Sequence, residues 1–125
     1  MEIEINRESA IHFYHLAFEG NPRKAAELYA GEHYIEHNPE VRDGVVGFIE
    51  YFERMNREYP DRSLTVLRSV AEGEFVALHT HQAWQDGSQY VTMDFFRFDY
   101  QGKIVEHWDT KQRVPDGLAH DNGIV

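Results

Sequence analysis

The chain reads as an α+β domain: a strongly curved, mainly antiparallel sheet shaped into a cone, closed by N-terminal helices over a pocket. Three observations predict this. Most of the first half carries apolar side chains at three- and four-residue spacing. Residues 62–113 divide into four alternating segments joined by short glycine-bearing turns. Those segments are long for a chain of 125 residues, and long twisted strands curl around an interior. Helices first and strands second is the order of an α+β domain.

The elements follow from local signals. Residues 6–19 form a helix with Ile11, Tyr14, His15 and Phe18 on its apolar face, Asn6 as the N-cap and Gly20 as the stop. Asn21-Pro22 starts a second, short helix, with proline at the first helical position. Its apolar face is Ala25, Leu28 and Tyr29, and Gly31 ends it. His33-Tyr34-Ile35-Glu36-His37 is a short extended segment broken by Asn38-Pro39. A long helix over 43–58 carries the stripe Phe48, Phe52, Met55 and Tyr59. Strands are expected at 62–71, 75–84, 89–99 and 103–113, with turns at Glu72-Gly73-Glu74, Asp86-Gly87-Ser88 and Gln101-Gly102-Lys103. The expected division is one domain over 1–125, with its core at about 6–113 and an irregular tail at 114–125.

Composition narrows the function. Acidic residues outnumber basic ones by 22 to 12, for a net charge of −10. Nucleic acid and anionic membranes need a basic footprint, so neither is expected as a partner. The absence of cysteine removes thiolate nucleophiles, thiolate metal sites and disulfides, and fits a cytoplasmic setting. MEIEINRE lacks the features of a signal peptide, and no apolar run reaches the length of a membrane span.

Polar residues interrupt the apolar strands. His79 and His81 share a face with Phe75, Ala77 and Ala83; Val76, Leu78, Thr80, Gln82 and Trp84 share the other. Asp94 lies with Tyr90, Thr92, Phe96 and Phe98, while Arg97 is opposite. His107, Asp109 and Lys111 share one face of the last strand; Glu106, Trp108, Thr110 and Gln112 share the other. A buried carboxylate needs a partner or takes up a proton. Asp94 therefore has a structural reading, paired with Arg97 or a histidine, and a chemical one. A His–Asp pair in an aromatic-walled cavity suits proton transfer on a carbon acid. It equally suits binding of a polar small molecule.

Several segments resemble the SnoaL-like polyketide cyclase branch of the nuclear transport factor 2-like superfamily. They are His37-Asn38-Pro39, the helix start at Gly44, residues 71–79, Asp94-Phe95-Phe96-Arg97-Phe98 and residues 102–109, of which Gly-Lys-Ile-Val-Glu-His-Trp is the most specific. The resemblance spans about residues 8–115 in consistent order and is nearest to a subgroup labelled SnoaL-like aldol condensation enzymes. It implies a cystatin-like cone, a deep pocket, no cofactor and homodimers formed through the outer sheet face. The cyclases of this branch use an aspartate acid/base a few residues beyond a Trp-like position. Here Asp109 follows Trp108 directly and Gln112 stands four beyond it. Either Asp109 takes the role, or Gln112 occupies the place and the cyclase base is absent.

Three functions are expected to compete. The first is a cofactor-independent lyase, cyclase or isomerase acting on a carbonyl compound, with Asp94, His79, His81 and Asp109 as catalytic candidates. In it His37 and Asn38 orient the carbonyl, and Arg97, His107, Trp108 and Gln112 complete the ligand-binding set. The second is a non-catalytic domain holding a small organic ligand on the same residues. The third is a metal site built on His79 and His81 with a further His or Asp; the primary expectation assigns no metal ligands.

Overall fold

The computed structural model describes residues 2–125. Its elements run α1 (Ile3–Phe18), α2 (Pro22–Tyr29), β1 (Ala30–Glu36), α3 (Gly44–Glu58), β2 (Ser63–Glu72), β3 (Phe75–Ala83), β4 (Gln89–Phe98) and β5 (Ile104–Arg113). The α+β expectation holds, and every predicted element is present. Helix α1 starts earlier than Asn6 suggests: Asn6 lies buried within the first turns, and Glu2 takes the N-cap position without a side-chain capping bond. Asn21 does occupy the N-cap of α2, followed by Pro22.

The sheet has five strands in the order β1-β5-β4-β3-β2. The last four strands form an antiparallel meander. Its hairpin turns carry Gly73, Gly87 and Gly102 at φ of 56°, 89° and 77°, a region open to glycine at little cost. The first strand joins differently: β1 pairs in parallel with β5. That makes the sheet mixed and sets the end of β1 beside the middle of β5. Register shifts interrupt the β1–β5, β2–β3 and β4–β5 ladders, and such irregularities bend strands and increase twist.

Helices α1 and α3 lie against the inner face, α1 over β2 and β3 and α3 against β1. The core between them is aromatic. Phe13 stacks on Phe48 at 4.6 Å and meets Phe96 edge-on at 6.0 Å, geometries that suit the ring quadrupole. Phe18, Phe52, Phe98, Leu78 and Ile104 complete it. Among the described residues no helix is long and apolar enough to cross a membrane. Residues 114–125 form neither helix nor strand.

Candidate functional site

Strand register selects the polar side chains that face inward. In the β4–β5 ladder Asp94 is opposite Asp109 and Phe96 is opposite His107, so all four share the inner face. In the β3–β4 ladder Asp94 is opposite Leu78, and His79 is opposite Met93. The inner residues of β3 are therefore Val76, Leu78, Thr80 and Gln82. Parallel pairing of β1 sets Glu36 opposite His107, and Tyr14 reaches the same point from α1.

His107 is the centre of a buried network. It donates from Nδ1 to Glu36 Oε2 at 2.7 Å and from Nε2 to Asp94 Oδ2 at 2.8 Å. Asp94 also accepts from the hydroxyls of Tyr14 and Thr92. Glu36 accepts from Tyr34 at 3.0 Å and from the backbone N–H groups of His37 and Asn38, each at 3.1 Å. Burial alone would push His107 toward its neutral form. The bonds and charges of Asp94 and Glu36 outweigh it and raise its pKa to about 10. Burial likewise works against the charged form of Glu36, but the bonds from His107, Asn38 and Tyr34 hold its carboxyl below the usual range. Burial, followed by the charge of Asp94, drives the Tyr14 phenol well above its ordinary value. The result is an imidazolium clamped between two carboxylates and backed by neutral phenols.

Asp109 borders this network without joining it. The Asn38 side chain donates to its Oδ1 at 2.9 Å and to Oδ2 at 3.1 Å. Asn38 Oδ1 in turn accepts from the Glu40 backbone N–H at 2.8 Å, which fixes the orientation of the amide. Burial raises the Asp109 pKa most; the positive charge of His107 opposes it, and Asp94 and Glu36 add to it. The net value is about 6, in the range of a working acid/base.

Asp109, His107, Glu36 and Asn38 line a narrow pocket whose free volume is about 30 Å³. Aromatic side chains wall it: Tyr14, Phe18, Tyr34, Phe48, Tyr51 and Phe52. Arg62, Gln82 and Lys111 also line it. An apolar cavity with a few convergent polar groups is the usual form of a small-molecule site.

The structure thus brings together Asp94, His107, Asp109 and Asn38. It does not bring in the other sequence candidates. The expected pairing of Asp94 with His79 or His81 is corrected: both histidines lie on the outer sheet face. There His79 contacts Arg68 and His81 bonds Gln89 at 2.8 Å. The His79–His81 metal reading loses its pocket for the same reason. His37 also turns outward. Its ring stacks on Trp108 at 4.9 Å, and its Nε2 meets Glu106 at 2.7 Å. Arg97 donates to Glu106 at 2.8 Å on that face, and Gln112 is exposed there. Nothing in the sequence marks Glu36, Tyr14, Tyr34 and Thr92 as site residues. The tyrosines look like core residues, and Glu36 lies beside an isoleucine that hydropathy would turn inward in its place.

Asp94, His107 and Asp109 each offer a ligand atom within 4.8 Å of the others. The hydrogen bonding does not suit a cation. His107 uses both ring nitrogens as donors to carboxylates, and a metal ligand must present an unprotonated nitrogen.

The chain has relatives of the same shape. TsrD from Streptomyces laurentii superposes with a TM-score of 0.76 at 22% identity, over 89% of this chain and 90% of that one. A candidate ketosteroid isomerase from Kribbella flavida gives 0.70 at 22%, over 97% and 85%. IdmH, a candidate polyketide cyclase from Streptomyces antibioticus, gives 0.71 at 17%, over 85% and 91%. These likenesses establish the fold. No curated protein sequence matches the chain. The SnoaL-like domain model matches residues 10–107 and stops two residues short of Asp109. With most of the chain inside that match, and with the helices, the bent sheet and the inward His107 network in place, this protein belongs to the SnoaL-like family.

Proposed function

We propose that the protein is a cofactor-independent lyase, cyclase or isomerase that moves a proton on a carbonyl compound, with Asp109 as its acid/base. One observation carries this reading. Asp109 is a pocket carboxyl with a pKa of about 6, and its described hydrogen-bond partner is an amide rather than a cation. Asp94 and Glu36 are both committed to His107.

The chemistry follows from that division. Above pH 6 the Asp109 carboxylate takes a proton from the carbon next to a carbonyl. The C–H electron pair moves to the carbonyl oxygen and forms an enolate. The enolate carbon attacks a second carbonyl, whose new alkoxide takes the proton from Asp109, or, where the enolate is conjugated, the far carbon of the dienolate takes that proton; on either route Asp109 ends the cycle as a carboxylate. Asn38 aims the carboxylate. His107 keeps its protons and holds Glu36 and Asp94 in place beside the reacting region. Tyr51 lines the same space, and burial raises its pKa, so it remains a phenol able to donate to the developing oxyanion.

The outer sheet face suggests a homodimer. Val70, Phe75, Met93 and Phe95 are exposed on it, with Phe95 51% accessible, and a cluster of large exposed apolar residues suits association. The setting proposed is cytoplasmic.

The test is α-proton exchange in D₂O, followed by NMR, on cyclohexanone, acetophenone and 2-tetralone. Wild-type protein should accelerate exchange on at least one ketone that binds, and Asp109→Asn should abolish it. Exchange retained by Asp109→Asn removes the assignment. A ketone that binds the wild type yet does not exchange supports a binding domain instead.

A further inference from the structure

We infer that the end of the pocket formed by Arg62, Gln82 and Lys111 is a carboxylate-binding subsite, so that the substrate is a keto acid rather than a neutral ketone. The location of the reacting carbon rests on the role proposed for Asp109; the recognition of an anion does not.

The Arg62 guanidinium is a buried charge without a carboxylate partner. Arg62 lies between α3 and β2, and only 6% of its surface is accessible. Its Nε and Nη2 atoms are buried and make no hydrogen bond among the described residues. Arg7, Arg23, Arg42 and Arg97 each face a carboxylate. Arg62 enters none of the ion pairs, in a chain with 22 acidic residues. A buried ion without a counter-ion is costly, and it persists where an anion completes it.

The surroundings hold the guanidinium in place. Its Cζ lies 4.3 Å from the ring centre of Phe18, 5.6 Å from Trp84 and 5.7 Å from Phe52. These rings hold the flat guanidinium by cation–π contact and leave its edge as the group that can bind. A planar fork of N–H donors matches a carboxylate with two parallel bonds.

Two more donors converge on the same end. Lys111 Nζ stands 5.7 Å from the Trp84 ring that Arg62 also approaches, and it meets the exposed Glu40 carboxylate at 3.4 Å. Gln82 Oε1 accepts from Trp84 Nε1 at 3.1 Å, which turns its amide N–H groups away from that ring. The buried acidic groups gather at the other end, whereas Glu40 beside Lys111 is largely exposed. The charges that act most on Asp109 are those of His107, Asp94 and Glu36, whereas burial weighs most on Arg62 and the Tyr51 hydroxyl, a hydrogen-bond partner, offsets part of it. Lys111 lies two residues beyond Asp109 on the same face of β5, roughly 7 Å along the strand. A short keto acid bridges such a span, its acidic carbon at Asp109 and its carboxylate at the cationic end.

The experiment compares 4-oxo-4-phenylbutanoate with its primary amide by isothermal titration calorimetry at neutral pH. Wild-type protein should bind the acid at least about tenfold more tightly, as expected for charge-assisted bonds. Arg62→Met, which keeps length and removes the donors, should bring the two affinities to within about twofold. Arg62→Lys, which keeps the charge without the fork, should fall between. A measurement on the wild type alone guards against misfolded variants: the Arg62 Nε–H resonance should shift with the acid and not with the amide. Equal affinities in the wild type, failure of the acid to bind, an unmoved resonance, or full preference in folded Arg62→Met would each overturn the inference. Asp109→Asn separates it from the proposed chemistry, since it should lose ketone exchange and keep the preference for the acid. In the wild type, ketone exchange without a preference for the acid refutes the subsite alone, and a preference for the acid without ketone exchange refutes the acid/base assignment alone.

Discussion

Replacing His107 by glutamine tests the buried network most directly. The change keeps a polar side chain of similar reach and removes the cation between Glu36 and Asp94. Both carboxylates are almost wholly enclosed, with side-chain accessibilities of 3% and 0%. Removing one partner of a buried ion pair costs about 3–5 kcal/mol. The pKa gives a second route to the size. A rise from 6.5 to about 10 corresponds to roughly 5 kcal/mol at about 1.4 kcal/mol per unit. The two figures agree in order of magnitude. The sign also follows. The folded state holds the His107 proton up to about pH 10, and the unfolded chain releases it near 6.5. The stabilisation is therefore complete below pH 6.5 and is lost as pH rises toward 10. Urea unfolding of the wild type across that window should show falling stability. His107→Gln should be weaker by about 3–5 kcal/mol near neutrality, or about 10–20 °C in Tm, with a flatter alkaline limb. A loss under about 1 kcal/mol with an unchanged pH profile would refute the clamped imidazolium, since an exposed ion pair is worth no more than that.

Three further outcomes are expected. Asn38→Ala removes a bond that holds the Asp109 pKa down, so the acidic limb of any ketone-exchange profile should move upward by up to about one pH unit. An unmoved limb in a folded variant would separate Asp109 from that profile. Gly47→Ala would set a Cβ 1.7 Å from the Arg42 carbonyl oxygen, so denaturant unfolding should show a loss of about 2 kcal/mol or more; a neutral result would contradict the close approach. Phe95→Lys puts a charge on the exposed apolar face, and sedimentation should show wild-type dimers becoming monomers that still bind pocket ligands.

The sequence shows the fold well and the site in part, for different physical reasons. Turns at Gly73, Gly87 and Gly102 bound strands whose observed limits differ from the expected ones by about a residue, because a positive φ marks a turn locally. On β4 and β5 the alternation groups Asp94 with Thr92 and Phe96, and His107 with Asp109, but it leaves open which face turns inward, so Arg97, Trp108 and Gln112 stand beside them as candidates. Strand β3 leaves the same choice open. His79 and His81 alternate as cleanly as Leu78 and Thr80, and the choice between faces comes from pairing Leu78 with Asp94, a register that no single strand encodes. Strand β1 is harder still: Ile35 is 42% exposed while Tyr34 and Glu36 turn inward, so hydropathy points the wrong way at a functional position. Arg62 gives no sequence signal, because an arginine after a helix normally reaches solvent.

The parallel seam between β1 and β5 has a kinetic consequence. Glu36 and His107 are 71 positions apart in the chain, as are Asn38 and Asp109. On the ribosome, Tyr14, Glu36 and Asp94 all emerge before the histidine that neutralises two of them. Until β5 docks, burying Glu36 or Asp94 near neutral pH means burying an uncompensated charge, so closure of the cone has to wait for that strand. Contacts this distant form slowly. The step that completes the pocket therefore falls late in folding, and the chemistry and the final compaction arrive together.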